Sequence, residues 1–369
     1  MISNITNSLY LSEKSSFVKD FASLIFLLII PLTLFLLVKL DLFNRAVADG
    51  IALILFCLYC LNRLGFIFVF LIIFAITSLH VLLSGTILHA VNFSILPIAA
   101  LTFKTSLLSK SALNKVLPFL VLYTFVMTLI DFITGAFVEA GDRISGPFTS
   151  SLHLAYFLVI LSLVLLQSNL KIKVPLIAML VISAAISGSR VGLIGCLVIF
   201  LSAFNNVNFK TKVMIISALV ALSFTSLIEL LPARGLSYHA QAEALRLYGW
   251  VRFYEYLNFM DISQALFGNG RLSYGAVGYR FIGELAFITE SSFIMLLYSY
   301  GLFLGLLMAL FIMYRFLSLN GISFIVRFML VGFFIASPFI DSPMIFILNI
   351  VLLSSAFPFI RKPALELKR

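Results

Sequence analysis

Apolar runs of about 17–25 residues, the length a helix needs to cross a bilayer, recur along almost the whole of this chain. Backbone groups in lipid have no water to bond, so such runs read as helices that satisfy their own amides. We place about twelve, near 21–38, 46–61, 64–83, 86–103, 116–134, 150–167, 174–189, 191–204, 213–231, 287–313, 322–338 and 343–359. Composition agrees. The chain is 62% hydrophobic and 11% charged, whereas a soluble domain is roughly half apolar and about a quarter charged. The expectation is an all-α polytopic membrane protein. Its nine leading helices fall within 1–231, a long polar loop occupies 232–286, and three helices with a tail fill 287–369. A polar start precedes the first run and lacks a small-residue cleavage site, so that run is expected to stay as an uncleaved first span.

Lysine gives these spans an orientation. Lys14 and Lys19 precede the first run, and Lys104, Lys110 and Lys115 lie between the fourth and fifth. Lys171, Lys173, Lys210 and Lys212 fill later loops of the same parity, and Lys362 and Lys368 sit in the tail with Arg361 and Arg369. All fall on one side, which the positive-inside rule assigns to the cytoplasm. Lys39 and Arg45 are exceptions. The net charge of +10 is therefore topological, and no nucleic-acid partner is expected. Cys57, Cys60 and Cys196 all lie in apolar runs and read as buried thiols. No spacing of His, Cys and carboxylates suggests a metal, and no cofactor is expected.

The same parity puts three features outside: the loop 135–149, the connection Ser187–Arg190, and the segment 232–286. Arginine gathers there, as Arg143, Arg190, Arg234, Arg246, Arg252, Arg271 and Arg280, and the long segment holds no lysine. Guanidinium is a planar fork of donors that matches phosphate oxygens bidentately and stays charged. A lipid diphosphate suits such a cluster; headgroup snorkelling or pairing with local carboxylates is the alternative for each arginine alone. Within the segment, 241–260 has helical spacing, with Leu247, Trp250, Val251, Tyr254 and Leu257 on one face. Tyr248, Arg252, Glu255 and Tyr256 fall on a neighbouring one, as in a short interfacial helix turned toward a cavity. Phe267-Gly268-Asn269-Gly270 reads as a tight turn. Asp131 and Glu229 lie near the outer ends of apolar runs. Asp131 is expected to pair with Arg143 or Arg190, since ionisable groups in spans seek a partner.

Three stretches in order resemble the Wzy-type O-antigen polymerase and O-antigen ligase superfamily, membrane glycosyltransferases of the C type. The first is Arg143-Ile-Ser-Gly146-Pro-Phe148, and the second Ser187-Gly-Ser-Arg190-Val-Gly192. The third runs from Arg252 through Leu266-Phe-Gly268-Asn-Gly270 to Tyr300-Gly301-Leu302-Phe-Leu-Gly305. Together they cover about residues 140–305. One departure is that many ligases carry histidine where this chain has Glu290-Ser291-Ser292-Phe293. That favours a polymerase.

The resemblance implies a glycosyltransferase at the periplasmic face of a bacterial inner membrane. It would join oligosaccharide repeat units carried on undecaprenyl diphosphate, with membrane lipid and a chain-length regulator protein as partners. Arg252, Arg190, Arg143 and Glu290 are the catalytic candidates; Arg271, Arg234, Arg280, Tyr248, Tyr256 and His239 are the substrate-binding ones. An O-antigen ligase acting on lipid A core, and more remotely a flippase of lipid-linked oligosaccharides, stay open as alternatives. The topology is directly testable. A phosphatase fused at Ser273 should be active and one fused at Arg369 inactive, and activity at the tail would contradict the orientation.

Overall fold

A computed structural model describes residues 24–64, 108–135, 138–139, 143–148, 150–203, 260–268, 291–336 and 343–357, with shorter pieces at 67–78, 97–98 and 250–258. The described residues are all-α apart from one hairpin of two two-residue strands. A π-helical turn, Ile25–Ile29, leads into α1 (Ile30–Lys39), and α2 is Arg45–Leu64. Helix α3 (Lys110–Thr134) precedes strands β1 (Val138–Glu139) and β2 (Arg143–Ile144). Then come α4 (Ser151–Gln167), α5 (Lys173–Ile186) and α6 (Arg190–Ser202). After the short α7 (Ile262–Phe267), the chain ends in α8 (Ser292–Leu317), α9 (Phe324–Ala336) and α10 (Pro343–Ala356). These helices fall on nine of the expected apolar runs. The runs at 86–103 and 213–231 lie almost wholly outside the described residues, as does most of 232–286.

Helix α4 is the hub. Residues His153 to Leu165 are buried on every side, and α4 packs against α5, α6 and α10. Apart from His153 and the Tyr156 hydroxyl, its buried side chains are apolar or small serine hydroxyls and need no polar face, which is how a helix at the centre of a bundle reads. The α4–α6 contact is close because small residues make it. A Cβ on Gly192 would lie 3.1 Å from the Ala155 Cβ, and one on Gly195 would lie 2.4 Å from a Val159 methyl. Small residues at such a crossing let two backbones approach, the packing mode favoured between helices in lipid.

The outer surface is apolar where a water-soluble domain would be polar. Along α3, Phe119, Leu122, Val126, Ile130 and Ile133 form one exposed stripe at helical spacing, with Phe119 72% and Ile133 78% exposed. On α8 the stripe is Phe303, Leu307, Leu310, Tyr314 and Leu317. Two helices among the described residues, α3 and α8, are long and apolar enough to cross a membrane, and several shorter ones are equally apolar.

Helix α8 is not one rod, as the single run 287–313 had implied. Gly301 takes φ 80° and ψ 171° and breaks it into two legs. The legs fold sharply on one another: a Cβ on Gly305 would come within 2.4 Å of the Leu296 carbonyl oxygen. The break is wedged by the end of α7. A Cβ on Gly268 would meet the Ser299 carbonyl oxygen at 2.3 Å, and one on Gly301 would meet that of Leu266 at 2.5 Å. Three backbones therefore share a space that admits no side chain.

This geometry separates two glycine substitutions. Gly301→Ala adds a left-handed strain and a backbone clash and should destabilise by about 2 kcal/mol or more. Gly332→Ala, in mid-α9 with nothing within 4 Å of the added Cβ, should be neutral or stabilising by up to about 1 kcal/mol. Thermal unfolding of both variants in one detergent checks this; equal midpoints would contradict the wedge.

Candidate functional site at one end of the bundle

Contacts between helix ends sort the chain into two poles. At one pole the start of α3 and the ends of α4 and α10 meet: Lys110, Leu113, Asn114, Gln167, Ser168 and Ala356 line a shallow polar depression. The Leu108 amide donates to Ser355 Oγ (3.0 Å), and Gln167 Nε2 donates to the Asn320 carbonyl (3.4 Å). Lys171 and Lys173 follow directly after α4, so the described lysines other than Lys39 belong to this pole. At the other pole lie the end of α1, the end of α3, the starts of α4 and α6, and the start of α8. Two of the arginine-bearing stretches are here.

The first stretch is a short hairpin. Val138 pairs with Ile144 and Glu139 with Arg143 in antiparallel register, an element that hydropathy alone did not suggest. The chain then turns at Gly146, whose φ of 55° admits glycine and few other residues. A Cβ there would press on Thr128 Oγ1 (2.9 Å) and on Leu154 (3.3 Å). Phe148 anchors the turn. It is fully buried, edge-to-face with Phe35 at 5.2 Å and tilted against Phe157 at 5.1 Å. Helices α1, α3 and α4 thus grip this loop together.

The same loop is held by charge. Lys39 Nζ, at the last residue of α1, donates both to Asp131 Oδ2 and to the Gly146 carbonyl. The two side chains are only 4% and 0% exposed. This overturns the expected pairing of Asp131 with Arg143 or Arg190. Asp131 lies buried in the last turn of α3, where Lys39 reaches it. It also explains why Lys39 broke the lysine asymmetry: its charge is neutralised in the protein and does not report topology. Sequence reasoning missed this residue although both halves of the signal were present, a lysine on the disfavoured side and a carboxylate at the same depth.

The second stretch joins α5 to α6. Ser187 Oγ donates to the Ala184 carbonyl (2.8 Å) and accepts from the Ser189 amide (3.3 Å); Ser189 Oγ in turn caps α6 by accepting from the Gly192 amide (3.4 Å). Both serines are buried. Arg190 is the first residue of α6 and is part-exposed. The serine–glycine–serine pattern is thus a capped reversal that delivers Arg190 to the start of a helix.

The two stretches meet on neighbouring residues of α4. Gly146 lies against Leu154 and Gly192 against Ala155, so α4 sets the spacing between the Arg143 loop and the Arg190 turn. Three helices begin at this pole under serine caps: Ser150 for α4, Ser189 for α6 and Ser291 for α8. None has an acidic residue in its first turn. Helix N-termini carry partial positive charge, so this end of the bundle favours an anion. Ser291 also donates to the Ile335 carbonyl (2.5 Å), tying α8 to the end of α9; Ser291 therefore serves structure.

The third stretch is described in part. Phe253 is buried with Ile294 and Leu297, Leu257 packs beside it, and Trp250 stacks on Phe293 at 6.5 Å. Phe253 is the buried residue of this contact, with Leu257 packed beside it and Trp250 stacked although 41% exposed, while Val251 and Tyr254 are exposed. Trp250 and Leu257 of the expected face thus make the contact, and Phe253 takes the place expected of Val251 and Tyr254. Of the candidate site residues, Arg190 is placed in full and Arg143 by its backbone. Arg252, Glu290, Arg271, Arg234, Arg280, Tyr248, Tyr256 and His239 lie outside the described residues. The described residues contain no group of three or more His, Cys, Asp or Glu able to hold a metal ion.

Compared with protein-family models, curated proteins and solved structures, the chain matches none.

Trp250 is the sole tryptophan of the chain, which makes its packing measurable. Phe293→Leu should raise the acrylamide quenching of its emission by removing the ring stacked over it. Unchanged quenching would contradict the docking of this helix on the first leg of α8.

Proposed function

We propose that this chain is a polytopic inner-membrane glycosyltransferase that polymerises lipid-linked oligosaccharide repeat units at the periplasmic face. About twelve helices cross the bilayer on this reading, and the exposed apolar stripes of α3 and α8 face lipid. The observation that carries the reading is the meeting of the Arg143 loop and the Arg190 turn on adjacent residues of α4, at the pole opposite Lys110, Lys171 and Lys173. Positive-inside logic makes the lysine pole cytoplasmic, which leaves the arginine pole facing out.

The chemistry follows from the charge at that pole. The donor is a growing glycan on undecaprenyl diphosphate and the acceptor is a repeat unit on the same lipid. An acceptor hydroxyl oxygen forms a bond to the donor anomeric carbon as the bond from that carbon to the diphosphate oxygen breaks. The hydroxyl proton passes to a carboxylate, for which Glu290, next to the Ser291 cap, is the candidate. Negative charge grows on the leaving diphosphate. Arg143, Arg190 and Arg252, with the serine-capped helix starts, stabilise that charge where it develops. A single displacement of this kind inverts the anomeric centre.

Two experiments test the proposal. Lipopolysaccharide from a deletion strain should stop at a single repeat on the core. Bare core would identify a ligase instead, and a full ladder would refute both. In the purified enzyme, Arg190→Lys keeps the charge but loses the bidentate fork. A charge-assisted hydrogen bond is worth about 1.5–3 kcal/mol, so the initial rate should fall by roughly tenfold to a hundredfold. A fully active Arg190→Lys enzyme would remove this residue from the clamp.

A further inference from the structure

We propose that Lys39 and Asp131 are positioning residues: a buried latch that holds the Arg143-bearing loop in register with the Arg190 turn. The inference rests on the proposed function for what the loop does, and on geometry alone for how it is held. Lys39 makes two contacts at once, one to the Asp131 carboxylate and one to the Gly146 carbonyl. The first joins α1 to α3, and the second joins both to the loop. A lysine that served only to neutralise Asp131 would need no bond to the loop backbone. Gly146 cannot shift toward α3 or α4, because Thr128 and Leu154 already fill the space where its Cβ would be. Phe148, between Phe35 and Phe157, blocks movement on the far side. The lysine is the polar member of this grip and the one that fixes the backbone carbonyl three residues after Arg143.

The latch accounts for two sequence features that topology leaves unexplained. One is a lysine at the pole where lysine is otherwise lacking among the described residues. The other is an aspartate in an apolar run, fully buried, whose charge Lys39 balances. A pair kept for stability alone is readily replaced, since apolar residues of similar volume often serve a buried site as well as an ion pair does. A pair kept for position is not, because apolar replacements leave the Gly146 carbonyl without its donor.

Trypsin reads the latch without reference to catalysis. Arg143 is the single lysine or arginine between Lys115 and Lys171, so cleavage after it is a unique event. It requires the loop to open, because the following Ile144 is buried, and cleavage of a folded segment follows the population of its open form. The experiment compares wild type, Lys39→Met, Asp131→Leu and the double variant in lipid nanodiscs. Cleavage at Arg143 is followed by mass spectrometry, and kcat and KM are measured with lipid-linked repeat units. Each single variant should accumulate poorly, because one partner is left as a buried unpaired charge. The double variant should accumulate near wild type yet be cut at Arg143 at least tenfold faster, with kcat at least tenfold lower and KM little changed. A double variant cleaved as slowly as wild type would overturn the latch and leave the pair a structural one. Should the double variant fail to accumulate, Lys39→Met combined with the isosteric Asp131→Asn, which leaves no buried charge and no donor to the Gly146 carbonyl, is read in the same cleavage assay with the same two outcomes. Faster cleavage in a protein that proves to have no polymerase activity supports the latch and removes only the catalytic reading.

Discussion

The crossing of α4 with α6 is the contact on which the arginine pole depends. Gly192 and Gly195 face Ala155 and Val159 with no room for a larger residue, so the two backbones lie close and their starts are brought level. Because Leu154 also receives Gly146, a single turn of α4 locates both the hairpin loop and the capped reversal before Arg190. Dispersion between closely packed backbones is short-ranged and geometry-sensitive. A crossing made this way fixes position in a manner that flexible aliphatic side chains do not. The broken helix α8 repeats the device at Gly268, Gly301 and Gly305. In both places glycine converts backbone proximity into close control over where the next segment lies.

Charge is managed differently at the two poles. The lysine pole is open and polar, with Lys110 at the rim of a depression and the Lys173 ammonium donating to the Leu166 carbonyl at 3.3 Å. At the arginine pole, the described lysine is consumed internally by Asp131 and Gly146, while Arg190 stays part-exposed at a helix start. Such a division suits a surface meant to receive an anion. A fixed internal cation holds the architecture, and the proposed function gives the diphosphate to the arginine side chains and the helix starts. The buried pair itself stabilises little in net terms, since desolvating both ions offsets most of their attraction; its value is in what it positions.

Much of the helical layout was legible in the sequence because hydropathy reports it directly. The edges of α4, α5 and α6 fall within a few residues of the apolar runs, and lysine parity sorted the loops into the poles that the helix contacts describe. Three things were not legible, each for a physical reason. The break at Gly301 lies in an unbroken apolar run, and hydropathy carries no information about φ. The Lys39–Asp131 pair joins residues 92 positions apart, a distance at which neither periodicity nor local charge patterning speaks. The hairpin at Val138–Ile144 is too short for an alternating pattern to register. At the site, the serine and glycine positions around Arg190 were visible as a motif, but their role as caps and turn became clear only from their hydrogen bonds. Most of the arginine-rich segment lies outside the described residues, so its part of the site rests on the sequence.

The central structural claim is that α4 and α6 cross at Ala155 and Gly192 and thereby align the two arginine-bearing segments. Cysteine cross-linking tests it in the membrane. In a background with Cys57 and Cys60 replaced, Ser162→Cys on α4 puts a thiol beside the native Cys196 of α6, whose sulfur lies 3.5 Å from Ser162 Oγ, a gap that a disulfide can close. A membrane-permeant oxidant should link the pair, while Ser162→Cys with Ile182→Cys in a background that also lacks Cys196, Ile182 being on the exposed face of α5, should stay reduced. No cross-link between positions 162 and 196 in folded protein would contradict the crossing, and with it the alignment of Arg143 and Arg190 on which the proposed chemistry rests.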